Sequence, residues 1–196
     1  LYSIIINHKH SNKMKKVVFA ATGASGAELF LKLINAAKDS CEAHVIVSKN
    51  ALKVLEAEEN LRLNLDDLGV KIYDDLDLSA GPASGSFGTE AMIIAPCSTN
   101  TLAKVANGIS DTLITRAASV ALKERQTLVL GVREMPFSAI ALSQMQLLSS
   151  LGATIAPPVL GYYAGIKSLE DMENFIVGKW LDALKIENNL YKRWQI

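Results

Sequence analysis

No run of apolar residues in this chain approaches the roughly 20 that a membrane-spanning helix requires, so no membrane span is expected. Nor is there an excess of either charge: Lys plus Arg number 20 and Asp plus Glu number 20. A nucleic-acid binder normally carries a basic surplus to neutralise phosphates, so that partner class is disfavoured. Cysteine is scarce. Cys41 and Cys97 are the only two and form no CxxC pair, which points away from a disulfide framework and towards a reduced, cytoplasmic setting. Histidine is almost as rare: beyond Met14 only His44 occurs, inside an apolar segment that reads as a strand. A Ser-His-Asp or Cys-His hydrolase is thereby disfavoured, and no His/Cys/Asp cluster has zinc-ligand spacing, so no metal is expected. Internal repeats and low-complexity linkers are also missing.

The chain does have apolar bulk. Hydrophobic residues make up 49 % of 196 positions, enough to exclude disorder and to fill the core of one α/β domain, but the length is short for two. Residues 1–13 (LYSIIINHKHSNK) look foreign to the rest of the chain and are read as a non-native or disordered leader. The domain is assigned to 14–196, with Met14 a plausible start. Short β-branched runs then alternate with amphipathic stretches. Strands are expected at Val17–Ala21, Ala43–Val47, Met92–Ala95 (stopped by Pro96), Thr127–Val132 and Ala153–Ile155. Helices are expected after Gly26 (Phe30, Leu33, Ile34 and Ala37 inward), from a Ser48 cap to about Glu58, and from Ser98 or Thr99 to about Ala106. Two more are expected from Ser110 or Asp111 through Lys123, and around Leu169, Met172, Ile176 and Leu184. This alternation predicts a three-layer α/β sandwich with a doubly wound, mostly parallel sheet, flavodoxin-like or Rossmann-like. Two stretches, Asp74–Thr89 and Pro157–Lys167, read as long loops outside the core.

Two strand-to-helix turns could hold a ligand. Thr22-Gly23-Ala24-Ser25-Gly26 offers backbone amides and a helix amino terminus to a phosphorylated cofactor. Its spacing is Gly-x-x-Gly rather than GxGxxG, and no acid ends the second strand at Val47, which disfavours NAD and allows a mononucleotide. Pro96-Cys97-Ser98-Thr99-Asn100-Thr101 clusters hydroxyls and an amide at another strand end. A tight turn and an ordinary helix cap are the plain alternatives, but two such cradles at adjacent strand ends would flank one crevice.

A set of cations suggests a second anion. Arg116, Lys123, Arg133 and Lys179, with Glu134 among them, surround apolar segments of a neutral chain. Cations converging at the carboxyl end of a buried strand would suit a phosphate, for which Arg is a forked donor. Solvated helix ends would look the same one residue at a time. Arg116 and Lys123 are seven apart, hence on one helix face yet about 10 Å apart along its axis. Either their side chains converge or a neighbouring subunit supplies one of them. Trp180 and Trp194 could stack on a cofactor, although Trp180 falls on an amphipathic helix where core packing is the commoner role.

These segments together resemble the UbiX-type flavin prenyltransferases, the UbiX/Pad family. The resemblance rests on Thr22-Gly-Ala-Ser-Gly26, Val47-Ser-Lys49, Pro82-Ala-Ser-Gly-Ser86, Pro96-Cys-Ser-Thr99, Thr115-Arg-Ala-Ala118, Leu122-Lys-Glu-Arg125, Leu128-Val-Leu130, Arg133-Glu134-x-Pro136 and Arg193-Trp194. It runs from about Lys15 to Trp194. It implies a single flavin-binding domain with reduced FMN as prenyl acceptor, dimethylallyl phosphate as donor and no metal. The product would be FMN prenylated at N5 and C6, the cofactor of UbiD-type decarboxylases. A cytoplasmic homododecamer with sites between subunits is also implied. FMN contacts implied by the resemblance are Gly23, Ala24, Ser25, Ser48, Ser98, Thr99, Asn100, Thr101 and Arg133. Donor contacts are Arg116, Lys123, Arg133, Glu134, Tyr163, Lys179 and Trp194. Catalytic roles fall on Ser25 and Glu58 (proton handling near N5), Glu134 (ordering the cations) and Tyr163 (donating to the departing oxygen). Two positions depart from the family: Leu78 where some members have a tryptophan, and Lys179 in place of an arginine. The rival readings are an FMN-dependent cysteine decarboxylase, whose Pro-x-Met-Asn signature is absent here, and a flavin-storage protein, which would not need a second anion site.

Overall fold

The structure, a computed structural model, describes residues 14–59 and 65–194; the proposed leader 1–13 lies outside them. Six parallel strands form one sheet in the order β3-β2-β1-β4-β5-β6. They are β1 (Lys16–Ala21), β2 (Glu42–Val47), β3 (Lys71–Asp74), β4 (Ala91–Cys97), β5 (Thr127–Val132) and β6 (Thr154–Ile155). The helices are α1 (Ala27–Ala37), α2 (Lys49–Glu59), α3 (Thr99–Ala106), α4 (Leu113–Lys123), α5 (Ala139–Ser150) and α6 (Leu169–Ala183). Without the edge strand β3, the order of the other five is that of flavodoxin; with it, that of dinucleotide-binding folds. Either way the strand order reverses between β1 and β4, where open α/β sheets bind their ligands.

Both faces of the sheet are covered, so its central strands are apolar throughout rather than alternating. In β1, Val17, Phe19 and Ala21 face the layer of α1 and α6, with Phe30, Leu33, Ile34, Trp180 and Leu181. Val18 and Ala20 face the opposite layer, with Leu102, Leu113, Ile114 and Leu148 from α3, α4 and α5. Trp180 belongs to the first core: it is 2 % exposed and its Nε1 donates to the Ala156 carbonyl at 2.8 Å. That makes it a packing residue with its one donor satisfied.

Several expectations need correction. Strand β3 lies inside a segment with weak alternation, and its burial is only partial because it is an edge. Helix α5 is likewise unanticipated. It buries only Ala141, Met145 and Leu148, while Ile140, Leu142 and Leu147 are exposed, so its apolar residues never resolve into one stripe. Pro96 does not stop β4; the strand runs on to Cys97 with a register irregularity between Ile94 and Cys97, which is where a residue without an N–H is tolerated. The 74–89 stretch is not all peripheral, since Asp75, Pro82, Ala83 and Thr89 are buried. Helix α4 is capped by Thr112, not Ser110 or Asp111. Thr112 and Thr115 form a reciprocal capping box, while Asp111 is held by Lys104 at 2.6 Å.

Candidate active site

Thr22 joins the two central strand ends. Its amide donates to the Pro96 carbonyl at 3.0 Å, its hydroxyl donates to the same oxygen at 3.1 Å, and that hydroxyl accepts from the Ser98 amide at 2.8 Å. Because Thr22 is buried, each of these groups would be costly to leave unpaired. The strap fixes the β1 and β4 loops as the two walls of one crevice, as the paired cradles predicted. Ser98 then caps α3, accepting from the Thr101 amide at 3.2 Å. Ser48 caps α2 in the same way through the Ala51 amide at 3.2 Å.

Between these caps lies a polar cavity of about 320 Å³ lined by Thr22, Gly23, Ser48, Asn50, Asp75, Ser98, Thr99, Asn100, Thr101, Lys104, Thr112, Ile114 and Thr115. Hydroxyls, an exposed helix amino terminus and one ammonium are the donor set a phosphate or a polyol chain requires. Gly23 is needed for space: a Cβ there would lie 2.7 Å from the Asn50 Cβ. Of the residues predicted to hold FMN, Gly23, Ser48, Ser98, Thr99, Asn100 and Thr101 thus share one cavity. Asn50, Asp75, Lys104, Thr112 and Thr115 join them, though no sequence motif nominates them. Asp75, whose carboxylate accepts from the Ile114 amide at 2.9 Å, is delivered by β3, the strand that weak alternation concealed.

The amino terminus of α1 is different. Its N-cap, Gly26, has φ +108° and no side chain to cap with. Glu58 reaches across from α2 instead, accepting from the Gly26 amide at 3.1 Å and the Ala27 amide at 3.1 Å, with Ser25 donating its hydroxyl. Two of the amides at this helix start, those of Gly26 and Ala27, are thus already engaged by a carboxylate. Partial burial tends to raise the Glu58 pKa, but the bonds from Ser25, Ala27 and Gly26 and the nearby Arg133 charge together hold it below the usual glutamate value. Ser25, Glu58 and Arg133 thus form one group, beside Ala24 in the same turn.

The cations do not converge within one chain. Arg133 and Glu134, at the carboxyl end of β5, border a cavity of about 540 Å³. Glu134 accepts from its own neighbour, the Met135 amide, at 3.1 Å and among the described residues pairs with no cation. Arg116 donates Nε to the Ala83 carbonyl at 3.0 Å. Lys123 lies a helix length away, at the end of α4 next to the amino end of β5, ion-paired with Glu124. It lines another cavity, of about 720 Å³, with Ser119, Gln126 and Gly152. Tyr163 and Lys179 line a third, mostly apolar cavity of about 770 Å³, where Tyr163 meets Trp194 edge to face at 5.6 Å between ring centres. Arg116 and Lys123 nevertheless reach one loop: Arg116 bonds Ala83, and a Cβ on Gly85 would lie 3.1 Å from the Lys123 ammonium. Leu78, at the tryptophan position, is exposed. Among the described residues no group of three His, Cys, Asp or Glu could hold a metal, and no helix is long and apolar enough to cross a membrane.

Comparison with known proteins agrees with this geometry. The Flavoprotein family model matches residues 5–181. The flavin prenyltransferase UbiX of Campylobacter jejuni is 47 % identical over 186 residues, 92 % of this chain and 98 % of that one. The crystal structure of AnUbiX (PadA1) in complex with FMN and dimethylallyl pyrophosphate superposes with a TM-score of 0.90 at 37 % identity, covering 93 % of this chain and 98 % of that one. A dodecameric FMN-dependent UbiX-like decarboxylase from Escherichia coli O157:H7 gives 0.86 at 36 %, covering 92 % and 99 %. A nucleotide-sized polar crevice at the strand-order reversal, on a chain nearly half identical to such enzymes along almost its whole length, makes this protein a member of the flavoprotein family and, within it, of the UbiX flavin prenyltransferases.

Proposed function

We propose that this protein transfers a dimethylallyl group from dimethylallyl phosphate to reduced FMN, at N5 and C6, releasing phosphate and a proton. The observation that carries the reading is the polar cavity at the α3 amino terminus, beside the strand-order reversal, in a chain 47 % identical to a flavin prenyltransferase over almost its whole length. Reduced FMN supplies the nucleophilic atoms when bound.

The chain's own residues divide the remaining work. Gly23, Ser48, Ser98, Thr99, Asn100 and Thr101 hold the phosphate and sugar end of FMN, with Lys104 and Thr115 beside them. Ala24, Ser25 and Arg133 border the other end. Arg116, Lys123, Arg133 and Lys179 bind the donor phosphate and stabilise charge as its carbon–oxygen bond breaks. Glu134, which pairs with no cation among the described residues of one chain, orders these cations across the subunit boundary, Trp194 walls the pocket, and Tyr163 donates to the departing oxygen. Glu58, already ionised and bonded to Ser25, accepts the proton released on ring closure. Holding both partners in contact contributes about 7–11 kcal/mol towards the barrier.

Because Lys179, Lys123 and Arg133 line three separate cavities of one chain, the donor site is completed by neighbouring copies, in a homo-oligomer that the dodecameric E. coli relative suggests is a dodecamer. Exposed Met135, Ile140, Leu151, Val159 and Leu169 supply the apolar contact such an assembly buries. The product serves a UbiD-type decarboxylase. Anaerobic incubation with reduced FMN and dimethylallyl phosphate, followed by mass spectrometry of the flavin, tests the activity. Gain of one five-carbon unit with phosphate release is expected; unchanged flavin would refute it.

A further inference from the structure

The chain beyond α6 returns along that helix and is fastened at one side chain. Asp182 accepts from Arg193 through both oxygens, at 2.8 and 3.0 Å, from the Tyr191 hydroxyl at 2.5 Å and from the Asn188 amide at 2.9 Å. Three residues of the strap thus converge on one carboxylate, the Arg pair in the forked geometry that fixes orientation as well as distance. The strap has room to lie close because Gly178 faces Tyr191; a Cβ there would come 2.5 Å from the ring.

The strap's aromatic residues lie beside Tyr163 and Lys179, the two side chains of the cavity of about 770 Å³ proposed to meet the donor. The Tyr191 ring lies 5.1 Å from Phe175 and 6.0 Å below the Lys179 ammonium. Trp194 packs edge to face on Tyr163, whose opposite neighbour is Phe175 at 5.6 Å. Tyr163 and Lys179 are both exposed, and Lys179 has no ion-pair partner among the described residues, so the strap's rings restrain their directions. Asp182 itself lines the same cavity, three residues after Lys179.

We infer that Asp182 is a positioning residue for the prenyl donor: through Arg193, Tyr191 and Asn188 it holds the 188–194 strap, which sets Tyr163 and Lys179 for the donor phosphate. This rests on the transferase reading. A residue whose loss frees flexible groups weakens binding by removing pre-organisation rather than contacts.

The test compares the parent protein with Asp182→Asn and Arg193→Ala, an exposed site that spares the core. Steady-state kinetics for dimethylallyl phosphate, FMN affinity and tryptophan emission are measured on each. Trp180 is buried and Trp194 is 69 % exposed, so acrylamide-quenchable emission reports the strap. In both variants quenching should rise and the donor KM should increase about tenfold, with FMN affinity unchanged. The double variant should be no worse than either single one. Freed Trp194 emission with an unaltered donor KM, or a parallel loss of FMN affinity and folded fraction, would overturn the inference, as would quenching identical to the parent's. A parent protein without turnover would sink the transferase reading instead, and the fluorescence would still decide whether Asp182 holds the strap.

Discussion

Replacing Glu58 with Gln separates two roles that the geometry superimposes. In the folded protein the carboxylate caps α1 from another helix, through the Gly26 and Ala27 amides, and in the proposed reaction it is the base. The cap is solvent-exposed, so its loss should cost about 1 kcal/mol, the ordinary scale of a helix-capping group with a screened charge–dipole part. For a chain this long that lowers Tm by roughly 2–4 °C. Gln keeps one acceptor oxygen, which places the effect at the lower end. A positioned general base contributes on the order of 10²–10⁴ in rate, or about 2.7 kcal/mol and more. The two losses are far enough apart to read separately. The assay is product formation, followed by mass of the flavin under anaerobic conditions, alongside a melting curve. A drop of about 10²-fold with a melting change of a few degrees supports the base. Turnover within a few-fold of the parent, with the same melting change, would reduce Glu58 to a helix cap. The pH profile adds a sign. With its folded pKa below the usual glutamate value, Glu58 stabilises the protein above the unfolded-state pKa, and this contribution is lost as pH falls through the folded one. Base-limited turnover should therefore persist through neutral and mildly acidic pH and fail only below the ordinary glutamate range.

Three further outcomes are expected. Thr22→Val removes the hydroxyl that bridges Pro96 and Ser98, so calorimetry should show about 1–3 kcal/mol lost, and titration a weaker FMN affinity; a melting curve like the parent's would refute the strap. Gly131→Ala places a methyl 2.8 Å from the Ala95 Cβ and 3.1 Å from the Trp180 ring, inside a packed core, so denaturant unfolding should show about 1–3 kcal/mol of destabilisation. Lys123→Ala should impair donor use more than flavin binding. Refolding it together with an Arg133→Ala chain should restore part of the turnover that neither has alone, if separate copies supply the two cations; no recovery in a mixed assembly would place them in the same chain.

The order of elements was legible because each central strand is a short β-branched run between helical stretches, and the loops that end them carry Gly, Ser and Thr. Burial on both faces demands that pattern wherever it occurs. The edge strand β3 and helix α5 were not legible for the complementary reason. An edge is only half covered, and α5 leaves Ile140, Leu142 and Leu147 exposed on the isolated chain, so neither repeats with a period that one chain's core explains. Thr22, Gly23, Ser98 and Thr101 could be nominated from the sequence because two Gly-, Ser- and Thr-bearing turns at adjacent strand ends can flank one crevice, even though such residues also serve as caps. That Glu58, 32 residues beyond Gly26, caps α1 was invisible, because only the packing of α2 beside α1 brings a carboxylate there. The same holds for the cations. Seven residues along a helix is a rigid separation that the sequence states on its own, but which cavity each charge enters depends on how the layers stack. Local chain chemistry thus determined the folding pattern and the vocabulary of the site, and the tertiary structure decided who meets whom, because side chains far apart in sequence acquire neighbours only when the sheet closes beneath them.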